Sequence, residues 1–343
     1  MKSEKTNFPD AYITTQIDIK DSIPNKVIHL LITKKCNSNC LFCFSEKELV
    51  KKHLPMNLIN KIIQKYFNLG YRILVLSGGE PTIHPNFIEI ISSAKFIGYK
   101  HIRVITNGRM FSCKSFLERA IIAGLNEATI SIHSHIPKIQ DYLSNVKGSF
   151  KQTLKGIKNC IDSNLNIKIN IVVNKHNLKT LKKSLAFFNQ LGIKRIGLLR
   201  IMPYGRAWEN KNSLFYNHNK NIKYLNKALT FSKQNKINIW ANRFDLELFK
   251  DYPEFIQHPF KFVNEVKSKI DEFEALTKRK KELHCYPERC SYCFLENFCK
   301  ELHKENDKIK NKSKTINNNF YIDENGLINP IKFAEHYIKK FYK

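Results

Sequence analysis

The sequence has no run of 18 or more apolar residues, and its first stretch, Met1 to Tyr12, is polar and mixed in charge. Neither a membrane-crossing helix nor an export signal is expected, which places the chain in the cytoplasm with no membrane partner. Carboxylates are scarce too: 30 Asp and Glu stand against 58 Lys and Arg, a formal charge of +28. That balance would attract a polyanion. The Lys excess is spread over most helices and comes with abundant Asn and Ile, as a compositionally biased coding sequence would give. Nucleic acid is therefore a candidate partner but not the favoured one. Several catalytic signatures are missing as well. There is no Gly-x4-Gly-Lys-Ser/Thr phosphate loop, no His-Glu-x2-His metal motif and no Gly-x-Ser-x-Gly elbow.

What is present is 343 residues, 42% of them hydrophobic, enough for one large globular domain with additions. Nine cysteines occur, and without an export signal they read as reduced thiols, metal ligands or redox groups rather than disulfide staples. Cys36, Cys40 and Cys43 form one tight group, and Cys285, Cys290, Cys293 and Cys299 form another. Cys113 and Cys160 stand alone and read as small buried hydrophobes.

From about residue 27, short β-branched runs alternate with longer amphipathic stretches, the pattern of βα units around a parallel sheet. Strand-like runs are Val27 to Thr33, Ile73 to Ser77, His101 to Thr106, Ala128 to His133, Ile167 to Val173 and Arg195 to Ile201. The expected fold is α/β, a partial (βα)6 TIM-type barrel with a helical, cysteine-containing C-terminal extension. The divisions expected are an N-terminal segment (1–24), the barrel core (25–235), the extension (236–303), and a polar linker with an amphipathic tail (304–343). A further strand is foreseen at Ile237 to Ala241, and Lys304 to Asn319 reads as a flexible linker.

Cys36-x3-Cys40-x2-Cys43 follows the first strand directly, at the barrel face where active sites are built. A structural zinc normally takes four protein ligands, whereas a cubane held by three cysteines leaves one iron open to a non-protein group. After the second strand comes Leu74 to Pro81, LVLSGGEP. The freedom of Gly78 and Gly79 lets main chain approach a ligand closely, and Glu80 can accept hydrogen bonds from an amine.

The cysteine loop, with the aromatic Phe42 before its last cysteine, resembles the signature of the radical S-adenosylmethionine (radical SAM) enzymes. The Gly-Gly-Glu-Pro turn resembles the segment with which that family binds the methionyl amino group. The likeness covers roughly Val27 to Gly205. It implies a [4Fe-4S] cluster on Cys36, Cys40 and Cys43, S-adenosylmethionine bound to the open iron, and one-electron cleavage to a 5′-deoxyadenosyl radical that takes hydrogen from a substrate. Cofactor-binding roles follow from the resemblance for Phe42, Gly78, Gly79 and Glu80. By position at later strand ends they extend to Asn107, Ser131, His133, Asn174 and Met202. A flavodoxin- or ferredoxin-type electron donor is implied.

The second group, Cys285-x4-Cys290-x2-Cys293-x5-Cys299, suits a zinc or an auxiliary [4Fe-4S] cluster, and His284 or His303 could replace a thiolate. Its last three cysteines resemble the end of the SPASM extension found in radical SAM enzymes that mature peptides. The favoured substrate is accordingly a peptide or protein side chain, as in RiPP-type maturation. The alternatives are a small metabolite (sugar, nucleoside or amino acid) or RNA. A zinc-bearing nucleic-acid-binding protein is the non-enzymatic competitor, and it leaves the Gly-Gly-Glu turn unexplained.

Overall fold

The computed structural model describes residues 13–20, 23–43, 52–256, 259–277, 287–311, 320–322 and 327–341. One eight-stranded sheet runs in chain order. β1 (Ile13–Lys20) lies antiparallel to β2 (Ile23–Thr33). Every later pairing is parallel, through β3 (Ile73–Gly78), β4 (His101–Thr106), β5 (Glu127–Ser131), β6 (Asn166–Val173), β7 (Arg195–Arg200) and β8 (Asn238–Asn242). The connections are α1 (Met56–Asn68), α2 (Phe87–Ile97), α3 (Lys114–Ala123), α4 (Pro137–Ser144), α5 (Ser149–Asp162) and α6 (Leu181–Gln190). Between β7 and β8 lie α7 (Gly205–Glu209), α8 (Lys211–Leu214) and α9 (His218–Gln234). This is the strand order of an open TIM-type barrel.

Alternation explains which face each strand buries. Leu74, Leu76, Ile102, Val104, Ile169, Ile171, Ile196 and Leu198 are fully buried in one core with the helices. Residues between them face the barrel interior. The six expected strands are joined by β1 and by β8, the further strand foreseen at Ile237 to Ala241, so that seven strands run parallel. β8 follows three helices and offers only Ile239 and Ala241 to the core, with Asn238 and Trp240 exposed between them, so its apolar signal is short. β8 pairs with β7 although it lies past residue 235.

The extension adds α10 (Pro259–Lys267), α11 (Ile270–Thr277), α12 (Glu296–Asn311) and α13 (Pro330–Lys339). They close a second core in which Phe298 packs edge-on to Phe262, Phe273 and Tyr337. The linker expected from Lys304 is, as far as Asn311, the second half of α12. Charge pairs Glu296–Lys300, Glu301–Lys304 and Glu305–Lys308 line it, and Leu302 and Asn306 are buried. Its polarity is that of a solvated helix face; residues 312–319 lie outside the described residues. Among the described residues no helix is long and apolar enough to cross a membrane.

Candidate functional site

The loop carrying Cys36, Cys40 and Cys43 leaves the C-terminal end of β2 and is fastened from several sides. From β3, the Gly79 N–H donates to the Thr33 carbonyl at 2.7 Å and the Glu80 N–H to the Lys35 carbonyl at 2.8 Å. A Cβ on Gly78 would sit 2.2 Å from the Thr33 carbonyl oxygen, and one on Gly79 would sit 2.1 Å from that of Lys35. The two glycines are thus required by backbone lying on backbone. From the end of β4, Asn107 Nδ2 donates to Asn37 Oδ1 (2.6 Å) and Ser38 Oγ (3.2 Å), and Arg109 donates to the Asn37 carbonyl. From α4, the carbonyls of Ser144 and Leu143 accept from Asn39 (3.0 Å) and Leu41 (2.9 Å). From α7, Arg206 donates to the carbonyl and side chain of Asn39, and Asn210 Nδ2 to the Leu41 carbonyl at 3.2 Å. Phe42 lies edge-on to His133 at 4.5 Å.

Glu80 is 1% exposed and fully engaged. Oε1 accepts from the Thr82 N–H (3.1 Å), the Thr82 hydroxyl (2.5 Å) and the Thr106 hydroxyl (2.6 Å), while Oε2 accepts from the Asn107 N–H (2.6 Å). Burial raises its pKa against the pull of these donors. Its carboxylate knots the ends of β3 and β4 together, and Oε2, which accepts a single bond, keeps a lone pair that an amine could use.

His133 and Asn174 act as similar ties. His133 Nδ1 accepts from the Val172 N–H at 3.1 Å, and the His133 backbone N–H donates to Gln140 Oε1 at 2.7 Å. Asn174 Nδ2 donates to the Val172 carbonyl at 3.0 Å, and Asn177 bridges to the His133 carbonyl at 2.8 Å. Ser131 ends β5 on the inner face, half-buried. Met202 packs against the core of the extension.

Burial pushes His133 down to about 3. The unfolded chain takes up this proton near its ordinary 6.5, so the fold loses stability as pH falls from there toward 3, by at most roughly 1.4 kcal/mol per pH unit. His218, half-buried and near Arg200, shifts the same way. His133→Asn is expected to flatten part of the slope of melting temperature between about pH 4 and 6.5; an unchanged slope would count against this account.

The thiol of Cys40 is pushed up to about 12 by burial and by the neighbouring Cys36 and Cys43, while Cys36 is exposed. Among the described residues no three Cys, His, Asp or Glu side chains are drawn into a ligand set. The donor chemistry nonetheless fits a cluster bound by three thiolates. The three share one short loop, close enough to raise Cys40 by mutual repulsion, which a bound cation would reverse.

In the second group, Cys290, Cys293 and Cys299 are half-buried around the start of α12, and Cys285 and His284 lie outside the described residues. Tyr292 packs edge-on against Phe215 (4.8 Å) and Trp208 (5.7 Å), and Phe215 shares a small core with Leu41 and Phe42. The extension thus docks at the same end of the barrel as the first loop. Cys160 is buried as expected; Cys113 is exposed instead, because it caps the start of α3 rather than facing the core.

Arg109, Arg206, Asn37, Asn39 and Asn210 went unnoticed in the sequence. Arg109 follows the Thr-Asn-Gly turn and could have been found there; Arg206 lies 167 residues from its partner, and no local pattern marks it.

Residues 30–188 match the family model described as Radical SAM superfamily. A curated relative from Saccharolobus solfataricus, named "Probable GTP 3′,8-cyclase", is 31% identical over 189 residues, covering 53% of this chain and 59% of the relative. The chain therefore spans less than two thirds of that relative's length. Among solved structures, SuiB of Streptococcus suis bound to the precursor peptide SuiA aligns with a TM-score of 0.54 at 19% identity, over 66% of this chain and 50% of SuiB. The structure called "Native anSMEcpe with bound AdoMet and Kp18Cys peptide" aligns with a TM-score of 0.51 at 15% identity, over 66% and 64%. Both share the barrel fold. The family uses a [4Fe-4S] cluster and S-adenosylmethionine, and residues 30–188 of this chain form a radical SAM domain.

Proposed function

We propose that the chain holds a [4Fe-4S] cluster on Cys36, Cys40 and Cys43 and, with S-adenosylmethionine, takes a hydrogen atom from a substrate inside the barrel. The observation that carries this reading is the fastening of the cysteine loop by β3, β4, α4 and α7. Three ligands can present one open iron reproducibly only if their loop is held by its surroundings. When bound, the cluster and cofactor supply one-electron cleavage of a carbon–sulfur bond and hydrogen abstraction. The chain's own residues supply position. Asn107 and Arg109 hold Asn37 and Ser38, and Arg206 holds Asn39. Phe42 and neutral His133 form an apolar wall that keeps water from the buried side of the loop. Cofactor contacts are assigned to Phe42, Gly78, Gly79, Ser131 and Met202. Glu80, through the acceptor capacity left on Oε2, is assigned to the cofactor's amine, and Asn107, His133 and Asn174 shape the surrounding wall. Cys285, Cys290, Cys293 and Cys299 hold an auxiliary cluster or a zinc, and a flavodoxin- or ferredoxin-type protein delivers the electron.

For the substrate, the relative named as a GTP cyclase and the polar inner face of β5 and β6 support a small molecule. A peptide side chain is the second reading, supported by the spacing of Cys290, Cys293 and Cys299. Anaerobically reconstituted protein given S-adenosylmethionine and a one-electron reductant should form 5′-deoxyadenosine; protein with a full iron complement that forms none overturns the reading.

A further inference from the structure

α7 stands between the two cysteine groups and touches both. On one side Arg206 donates to the Asn39 carbonyl at 2.6 Å and Asn210 Nδ2 to that of Leu41 at 3.2 Å, so the grip falls on either side of Cys40. Asn210 also donates to the Arg206 carbonyl at 2.8 Å, which holds both contacts on one turn of backbone. Trp208, two residues from Arg206 on the helix, projects roughly 200° away around the axis. There Tyr292 of the extension meets it edge-on at 5.7 Å, and Phe215 meets both rings, Tyr292 at 4.8 Å and Trp208 at 6.4 Å. Rings set edge to face prefer that angle, so such a triangle resists sliding. The Arg289 guanidinium adds a further contact, 5.1 Å from the centre of the Trp208 ring and 5.6 Å from that of Tyr204, the residue before α7.

Arg289 and Tyr292 belong to one short helical turn, Pro287–Tyr292, that carries Cys290. The Cys293 N–H donates to the Cys290 carbonyl at 2.9 Å and the Glu296 N–H to the Cys293 carbonyl at 3.3 Å, so backbone bonds carry the turn on into α12. The residues that meet α7 from the extension are therefore the immediate neighbours of Cys290 and Cys293, as Asn39 and Leu41 are of Cys40. Leu41, Phe42 and Tyr292 also pack against one small core that includes Ala207 of α7 and Phe215.

We infer that Trp208 and Tyr292 are positioning residues for the first cysteine loop: through α7 they tie the backbone around Cys40 to the turn of Cys290 and Cys293, so that metal held by the second group stiffens the first loop. This rests on the reading above in which both groups hold metal. Thiolates that share a metal are fixed relative to one another, which fixes the turn that presents Arg289 and Tyr292. Coupling of this kind is reciprocal, and metal on the first loop steadies the second group by the same factor.

The test reads amide hydrogen exchange at Asn39 and Leu41, whose N–H groups donate to the carbonyls of Ser144 and Leu143 and so report opening of the loop. In the metal-free full chain, Tyr292→Ala and Trp208→Ala should each speed this exchange about ten-fold. Tyr292→Phe should restore the wild-type rate, and the amides of β3 to β6 should keep theirs. In the Cys36/Cys40/Cys43→Ala variant only the second group is left to take metal. Loading it with zinc, or with iron and sulfide, should slow exchange at Asn39 and Leu41 about five-fold or more, and adding Tyr292→Ala should abolish that effect. Loop exchange indifferent to Tyr292→Ala, exchange that rises equally throughout the barrel, or bound metal without effect on the loop overturns the inference. A triple variant that takes up no metal overturns the metal reading of the second group and the stiffening with it. A protein that shows the coupling but forms no 5′-deoxyadenosine loses the radical reading alone, and one that forms it with an indifferent loop loses only this inference.

Discussion

Replacing Cys36, Cys40 and Cys43 together by Ala should remove about four irons per chain after anaerobic reconstitution and abolish 5′-deoxyadenosine formation. The thiols supply the metal's ligands but little of the loop's own fastening, which runs through Asn37, Asn39, Leu41 and the carbonyls of Thr33 and Lys35. The variant is therefore expected to fold with a melting temperature near that of the wild type. The residual metal reads out the second cysteine group. A fall from about eight irons to about four assigns an auxiliary cubane to the C-terminal cysteines, and a fall from about four to none with one zinc retained makes that group structural. Wild-type iron and undiminished cleavage in the triple variant would sink the cluster assignment.

Gly79→Ala should be nearly as damaging without touching a ligand. The added methyl would stand 2.1 Å from the Lys35 carbonyl oxygen and 2.9 Å from the Lys34 carbonyl carbon, so strand and loop must separate. Separation breaks the bonds from Gly79 to Thr33 and from Glu80 to Lys35 and draws the buried Glu80 carboxylate off its donors. Overpacking against backbone plus disrupted buried hydrogen bonds cost roughly 3 kcal/mol or more. Expected results are a melting temperature lowered by several degrees and iron loading that falls well below the wild type. Gly148→Ala is the control: nothing lies within 4 Å of its Cβ position, and its positive φ of 79° leaves only backbone strain. Equal behaviour of the two variants would show that the contact between turn and cysteine loop is not what holds the loop.

Much of the fold was legible because parallel strands buried on one face and helices with one apolar stripe leave strong periodic signals. Ile28, Leu30, Leu74, Leu76, Ile102 and Val104 alternate cleanly, and six strands follow from such patterns. β8 was harder to place because two buried residues make a weak signal. Beyond Lys304 the sequence of α12 resembles a linker because a charged helix face and a linker share a composition, and only the burial of Leu302 and Asn306 separates them.

The candidate site divides along the same line. Residues whose role depends on chemical type and short spacing could be picked from the linear chain: three clustered thiols, two glycines before a glutamate, four more cysteines downstream. What each polar group bonds could not, because those partners come together across the sheet. The Gly-Gly-Glu turn suggests an amine contact for Glu80, but only the fold shows that the same carboxylate also ties Thr82, Thr106 and Asn107 together. The glycines were expected to yield to a ligand, and it is the cysteine loop itself that fills their space. Arg206 meets Asn39, and Lys261 meets Trp240, only because the barrel and its extension fold onto one another. Residue type and spacing along the chain set which chemistry is available. Closure of the sheet set which groups meet and which are already satisfied, since hydrogen bonds and Coulomb forces act through space rather than along the sequence.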